Sequence, residues 1–279
     1  MLGRSFLTRN TKRIILVLKL EIKMLKVSIV GKGWVGKAMV KLFPHAYIYS
    51  RSVGKKDEVN KKKISFICVP TPFNGLKLDT SIVEDIIMWC KSDLIVIRST
   101  VNPGDSDRWA RRYKKNIVTM PEYIGETVAH PLIDAKKRNF LVIGGNLVNR
   151  KKVIEIMQTA YNANVTIRQV TNYEAEVIKL AENRAIAFKV MQCQELYDIC
   201  EKANIDYYKI REAVYGDDPR FNLWWTFIYP EYRGFNNSKC LKKDVPAFCA
   251  WAESVGYKPE ITRALVKRSN EYELYEEVV

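Results

Sequence analysis

The chain has 279 residues, 47% of them apolar and 28% charged, which is enough for one large or two ordinary domains with a real core. No stretch reaches transmembrane length, no repeat or low-complexity tract is present, and the six cysteines show no paired or metal-like spacing. With only His45 and His130 available, a zinc site or a histidine-based triad is not expected. A formal charge of +15 attracts polyanions, either a doubly phosphorylated substrate and cofactor or a nucleic acid. The lysines are scattered along the sequence rather than striped with aromatics, so a dedicated nucleic-acid surface is not expected.

Residues 1–24 read as an N-terminal extension. Arg4, Arg9, Lys12 and Arg13 with Ser5, Thr8 and Thr11, and no acid before Glu21, resemble a transit peptide, while Ile14 to Leu20 is too short to span a bilayer. Met24 directly precedes a strand, which favours an upstream start codon or a loosely attached extra strand. That strand, Leu25 to Val30, runs into Gly31-Lys32-Gly33-Trp34-Val35-Gly36 and then a helical pattern from Ala38 to Phe43. A GxGxxG between strand and helix is the setting in which backbone can approach a pyrophosphate and a helix N-terminus can receive it. Gly31, Gly33, Trp34, Val35 and Gly36 are therefore candidate cofactor contacts.

The next strand, Ala46 to Tyr49, should end in an acid that holds the ribose hydroxyls of NAD, but Ser50-Arg51-Ser52 stands there. Arg51 suits a 2′-phosphate and points to NADP or relaxed cofactor choice, unless it is merely solvated or Asp57 and Glu58 move into register. Further strands are predicted at Ile64 to Val69, ending in Pro70-Thr71-Pro72; at Leu94 to Ile97, leading to Arg98-Ser99-Thr100-Val101; and at Ile117 to Met120, leading to Pro121-Glu122-Tyr123-Ile124-Gly125-Glu126. Phe140 to Gly145 and Val165 to Ile167 complete the series, with a helix at Ile82 to Cys90. Strands alternating with helices predict an α/β fold, a Rossmann-type doubly wound parallel sheet over residues 25–170 with its ligand at the carboxyl ends of the strands. From Asn172 a helical pattern runs to about Ala203, followed by shorter helices, so residues 171–279 form an all-helical central domain.

Two helical pairs carry chemistry. Lys179 and Asn183 lie one turn apart on the long helix, either as solvated positions or as an ammonium and an amide that hold an oxygen turning negative. Cys240, approached by the turn-rich Gly234 to Lys239, precedes Asp244 by one turn; a helix N-terminus with Lys239, Lys242 and Lys243 would favour its thiolate, whereas free cysteines are usually buried and inert.

The chain resembles the UDP-glucose/GDP-mannose dehydrogenase family. The resemblance rests on GxGWVG at Gly31 to Gly36, VPTP at Val69 to Pro72, STV at Ser99 to Val101, PEYxxE at Pro121 to Glu126, EVIKLAEN at Glu176 to Asn183, and Cys240 with Lys243-Asp244, in that order. It implies an NAD-dependent double oxidation of a sugar C6 hydroxyl to a carboxylate. Lys179 with a water held by Asp244 and Thr100 would assist the first proton loss, Cys240 would add to the aldehyde, Lys179 and Asn183 would stabilise the oxyanion, and Glu122 would activate water against the thioester. Thr71, Thr100, Glu126 and Lys243 match cofactor contacts, Arg220 matches an arginine that reaches the sugar of a neighbouring subunit, and Gly234, with Glu122, Lys179 and Asn183, belongs to the substrate set.

The family also implies a nucleotide-sugar substrate, a cytoplasmic homodimer built on the helical domain, and a role in polysaccharide biosynthesis, with no metal, nucleic acid or membrane partner. Asn236-Asn237-Ser238 replaces the glycine pair that the family carries before the cysteine. The chain ends where the family continues into a domain that binds the substrate's nucleotide, so a short form is expected. Two alternatives are a two-domain dehydrogenase of the hydroxyacid or phosphogluconate type, making one hydride transfer, and a cofactor-binding protein without turnover.

Overall fold

A computed structural model describes residues 27–125, 132, 134, 136, 138–161 and 164–276. The chain divides into two compact units. One takes the chain up to Pro70, Ser81–Ser99 and Gly104–Ala175; the other takes Thr71–Thr80, Thr100–Pro103 and the chain from Glu176. The division falls inside the long helix, past the expected Val170, and the segments after two strands go with the helical unit.

The first unit is built on four- and three-residue strands: β1 (Val27–Val30), β2 (Tyr47–Tyr49), β3 (Ile64–Ile67), β4 (Leu94–Ile97) and β5 (Ile117–Thr119). They form one parallel sheet in the order β2-β1-β3-β4-β5. All four residues of β1, β3 and β4 are buried, as expected of strands covered on both faces, which is why they read as continuous apolar runs rather than alternating ones. Ile29, Phe66, Val96 and Val118 meet Met39 from α1 (Trp34–Leu42) in the main core, and Phe43 stacks on Phe66 with ring centres 5.5 Å apart. Each such side chain contributes roughly 1.5 to 3 kcal/mol of burial. The connecting helices are α2 (Lys56–Asn60), α3 (Ser81–Trp89) and α4 (Asp105–Tyr113).

One expectation is corrected here. The last two strands, β6 (Phe140–Gly144) and β7 (Thr166–Val170), flank α5 (Leu147–Gln158) and pair in parallel with each other, forming a separate two-stranded sheet. The reason is visible at the edge of β5. The Asn172 side chain accepts from Thr119 N at 2.8 Å and donates to Ile117 O at 3.3 Å, so an amide occupies the ladder groups that a sixth strand would need.

The second unit begins within α6 (Asn172–Ala203), a 32-residue helix, followed by α7 (Tyr207–Arg211), a π-helical turn (Glu212–Asp217), α8 (Leu241–Ser254) and α9 (Glu260–Glu276). Ala187 and Met191 of α6 pack with Phe235, Leu241, Val245, Leu265 and Tyr272; lower on the same helix Cys193 and Cys200 pack with Tyr207, Tyr215 and Ile228. The Thr71–Thr80 segment joins this unit through Leu78 and Phe73, which pack on Leu180 and Ala247. Among the described residues no helix is long and apolar enough to cross a membrane, and no cluster of candidate metal ligands is present.

Candidate active site

The order of the first sheet reverses direction between β1 and β3, and the glycine turn follows β1 at that point, where open parallel sheets bind ligands. Gly31 has φ +111, and a Cβ there would lie 2.1 Å from Cys68 O; a Cβ on Gly36 would lie 2.0 Å from Gly31 O. Those two glycines are required by packing. Gly33 differs, because a Cβ there meets nothing within 4 Å. It caps α1 without any side-chain partner, and the first turn holds no acid, so the first N–H groups of the helix face open space. This is the arrangement a pyrophosphate needs, and the residues fit a dinucleotide. Gly36→Ala should therefore cost roughly 1 to 3 kcal/mol or more through forced displacement of backbone. Gly33→Ala should leave the melting temperature nearly unchanged yet weaken dinucleotide binding roughly tenfold, the loss of one close phosphate contact. Calorimetric titration beside thermal unfolding separates the two effects, and equal destabilisation by both substitutions would refute the distinction.

In the helical unit the sequence-predicted residues form a connected chain. Lys179 Nζ donates to Asn183 Oδ1 at 3.2 Å, Asn183 Nδ2 donates to Asp244 Oδ2 at 2.5 Å, and Lys243 Nζ donates to Asp244 Oδ1 at 2.6 Å. Asp244 is fully buried, and Lys179 and Asn183 are nearly so. Burial pushes the Lys179 ammonium below the ordinary lysine range, although the charges of Glu182, Asp244 and Cys240 pull the other way. Cys240 occupies the N-cap position of α8; its carbonyl accepts from Asp244 N at 2.9 Å, while Ser238 Oγ takes the capping bond from Leu241 N at 3.1 Å. The thiol is thus not spent on the cap. Five of the six cysteines are buried, and Cys240 is the one that is half-exposed.

Thr71 and Thr100, from the two segments that join this unit, are held together by Thr71 Oγ1 donating to Thr100 O at 2.6 Å. Asn102 ties the same two segments by bonding Leu78 N and O, each at 3.0 Å.

Several roles implied by the resemblance meet a different environment. Glu122, expected to activate water, lies in the first unit with its carboxylate between the guanidiniums of Arg98 and Arg138. It also accepts from Tyr123 N at 2.8 Å and Ile124 N at 3.0 Å. Three of these contacts converge on Oε1 and only Arg98 meets Oε2, so the carboxylate is fixed in place while Oε2 keeps room for one further donor. Gly234, expected to touch substrate, is buried with φ +73; a Cβ would lie 2.7 Å from Ser269 Oγ, and Gln194 brackets its N and O at 3.0 and 3.1 Å. It serves the packing of α6 against α9. Asn236 and Asn237 need no left-handed backbone, since Gly234 supplies the one positive φ between Arg233 and Cys240.

Lys243, matched to a cofactor contact, is half-buried and pairs with Asp244. Arg220 is exposed and clamped by its neighbour Asp218, Nη2 to Oδ2 at 2.5 Å. Arg51 lies in an exposed turn closed by the Ser50–Val53 bridge. Glu58 is tied to Lys61, and Asp57 is exposed on the same short helix. Trp34 and Val35 open α1, and Glu126 falls outside the described residues.

Residues 45–165 match the NAD binding domain of the UDP-glucose/GDP-mannose dehydrogenase family, and residues 173–272 match its central domain. The chain belongs to that family. The family match begins past the glycine turn, whose reading therefore stands on its own geometry. The UDP-glucose 6-dehydrogenase of Rickettsia conorii is 29% identical over 228 residues, 77% of this chain and 50% of that protein. TuaD of Bacillus subtilis, also a UDP-glucose 6-dehydrogenase, is 29% identical over 165 residues, 59% of this chain and 34% of that protein. The chain thus spans half or less of the length of these family relatives. A UDP-glucose dehydrogenase structure from Pyrobaculum islandicum superposes with a TM-score of 0.74 at 22% identity, over 89% of this chain and 68% of that one, which shows the family fold.

Arg98, to which the sequence assigned no role, and Trp34, expected only as a cofactor contact, prove central to the geometry. Arg98 Nη1 donates to Met120 O at 2.5 Å and Pro121 O at 3.2 Å besides gripping Glu122, and the Trp34 indole donates to Gly125 O at 2.7 Å. Together they fix the Pro121–Gly125 segment. The available signal was a cation closing an otherwise apolar strand, Ile95-Val96-Ile97-Arg98, which cannot be buried without an acid to meet it.

Proposed function

We propose that this chain oxidises the primary alcohol of a nucleotide-linked sugar to a carboxylate, with NAD as the first-choice cofactor and a covalent step at Cys240. The observation that carries this reading is the chain of buried Lys179, Asn183 and Asp244 with half-buried Lys243, on the long helix and on the helix that Cys240 opens. Gly31, Gly33 and Gly36 with the α1 N-terminus would hold the dinucleotide. The nicotinamide, when bound, supplies the acceptor for the hydrogen that leaves C6 with its electron pair in each of two oxidations.

Lys179 takes the proton of the C6 hydroxyl, a task that burial prepares by favouring its neutral form. Asn183 is oriented from both sides, by Lys179 and by Asp244, so it sets the ammonium's position rather than acting alone on the oxygen. The Cys240 thiolate adds to the aldehyde carbon while Lys179 returns the proton to the carbonyl oxygen, forming a C–S bond and a hemithioacetal hydroxyl. After the second oxidation Cys240 carries a thioester, and water cleaves it to acid and thiol. Glu122, fixed by Arg98, Arg138 and the amides of Tyr123 and Ile124, shapes the Pro121–Gly125 segment, and its Oε2, with a single partner, would accept the proton of that water.

Cofactor stoichiometry tests the reading: purified protein with a panel of nucleotide sugars should yield two reduced nicotinamides per sugar. One per sugar would favour the single-oxidation alternative, and none with any sugar would refute catalysis. A second copy is the expected partner for the helical unit, where Ile199, Ile205 and Tyr208 stay exposed.

Arg51 governs the choice between NAD and NADP in this reading. A guanidinium at the 2′-phosphate contributes on the order of 1.5 to 3 kcal/mol, so Arg51→Asp should shift the NADP/NAD ratio of kcat/KM towards NAD by tenfold or more. An unchanged ratio would show that the side chain serves only solvation.

A further inference from the structure

Lysines scattered along the sequence are gathered by the fold at one end of the first unit. Parallel strands are all entered from the same end, so the loops leading into β3, β4 and β5 lie side by side. They contain Lys61, Lys62, Lys63, Lys91, Lys114 and Lys115. Against these six stand Asp93 in the same loops, Glu58, which pairs with Lys61 at 2.5 Å, and Asp57 beside it. Lys63, Lys91 and Lys114 are exposed.

The loops are also fastened to one another. Lys91 N donates to Asn60 Oδ1 at 2.8 Å and Asn116 Nδ2 to Asp93 O at 3.0 Å, while Lys115 Nζ reaches back to Cys90 O at 2.8 Å. Leu94 N bonds Lys63 O at 3.1 Å and Ile95 N bonds Asn116 O at 2.9 Å, so the three entries are level with each other. The result is a flat, laterally braced cationic face rather than a set of independent side chains.

We propose that this face docks on an anionic lipid bilayer. Three features favour a planar lipid surface over nucleic acid. The cations of the three loops are all lysines, which act as point charges and lack the planar fork of arginine; Arg111 and Arg112 flank them on the last turn of α4, and Arg112 is paired with Glu84. No aromatic residue lies in the three loops to stack on a base. The face is level, whereas a duplex asks for a groove-following stripe. It lies at the amino ends of the strands, opposite the glycine turn at the carboxyl ends of the same sheet, so docking leaves the dinucleotide end open. The proposal does not depend on the chain's catalytic activity.

Each lysine brought to an anionic leaflet should raise affinity about fivefold, with attraction fading beyond a Debye length. The full chain should sediment with phosphatidylserine-rich vesicles and not with phosphatidylcholine vesicles, and added salt should release it. Lys63→Glu with Lys91→Glu and Lys114→Glu should weaken binding about a hundredfold or more, at three lysines' worth. The neutral set, Lys63→Gln, Lys91→Gln and Lys114→Gln, should fall between that variant and the native chain. A charge-matched control, Lys202→Glu with Lys209→Glu and Lys258→Glu in the helical unit, should bind within a few-fold of native. Equal losses in the two reversed variants, no binding by the native chain, or tighter binding to duplex nucleic acid than to vesicles at the same salt would each overturn the proposal.

Discussion

Cys240→Ser should abolish carboxylate formation, with turnover falling roughly 10³-fold or more, in line with the loss of a nucleophile in other covalent enzymes. The fold should be unaffected, because the thiol is half-exposed and Ser238, not Cys240, makes the side-chain capping bond of α8. A serine hydroxyl at neutral pH is scarcely ionised, and nothing among the described contacts of Cys240 supplies a histidine to activate it. The readout is acid product together with reduced nicotinamide. Retained acid at a native rate would rule out the covalent route and return the helical cluster to a structural role.

Lys179→Met should be nearly as damaging to turnover, a fall of about 10² to 10⁴, the usual worth of a positioned proton carrier. Its thermal stability should nevertheless equal or exceed that of the native chain. Burial lowers the lysine's proton affinity in the folded state below its ordinary value of 10.5, so the folded state holds the charged form at a cost. The sign follows: that cost is fully present below the folded-state value, shrinks as pH rises from there towards 10.5, and is gone above it. Native stability should therefore gain on moving up through that window, a slope that the methionine variant lacks. The rising limb of the native pH–rate profile should lie below the ordinary lysine range. A variant that melts well below the native chain, or a profile limb at the unperturbed lysine value, would contradict this account.

The strands and long helix were legible because their signals are local. Ile64 to Ile67 and Leu94 to Ile97 are apolar throughout, the glycines punctuate the turn after β1, and the α6 span from Asn172 to Ala203 carries its own periodic pattern. The cluster of Lys179, Asn183 and Asp244 was half legible. One-turn spacing gives two pairs, but nothing in the sequence says that Asn183 and Asp244 would meet across 61 positions. The clamp on Glu122 was legible only at Arg98, which closes an apolar strand; that its acid would come from the turn after another strand, and a second arginine from just before a third, no local signal says. The separate β6–β7 sheet was hidden for a similar reason: an amide at the start of a helix, Asn172, decides the matter by occupying an edge. The cationic face escaped notice because sequence distance conceals adjacency that parallel strands create.

The distribution of thiols has a practical meaning for anyone handling this protein. Cys68, Cys90, Cys193, Cys200 and Cys249 are buried, and burial raises the Cys249 thiol and pushes the Cys68 thiol up to about 12, far from the ionised form that reagents attack. An alkylating or disulfide reagent added at one equivalent is therefore directed to a single position, and that position is the proposed nucleophile. The molecule carries its own titration handle: the fraction of competent protein in any preparation can be counted by labelling, without a substrate in hand.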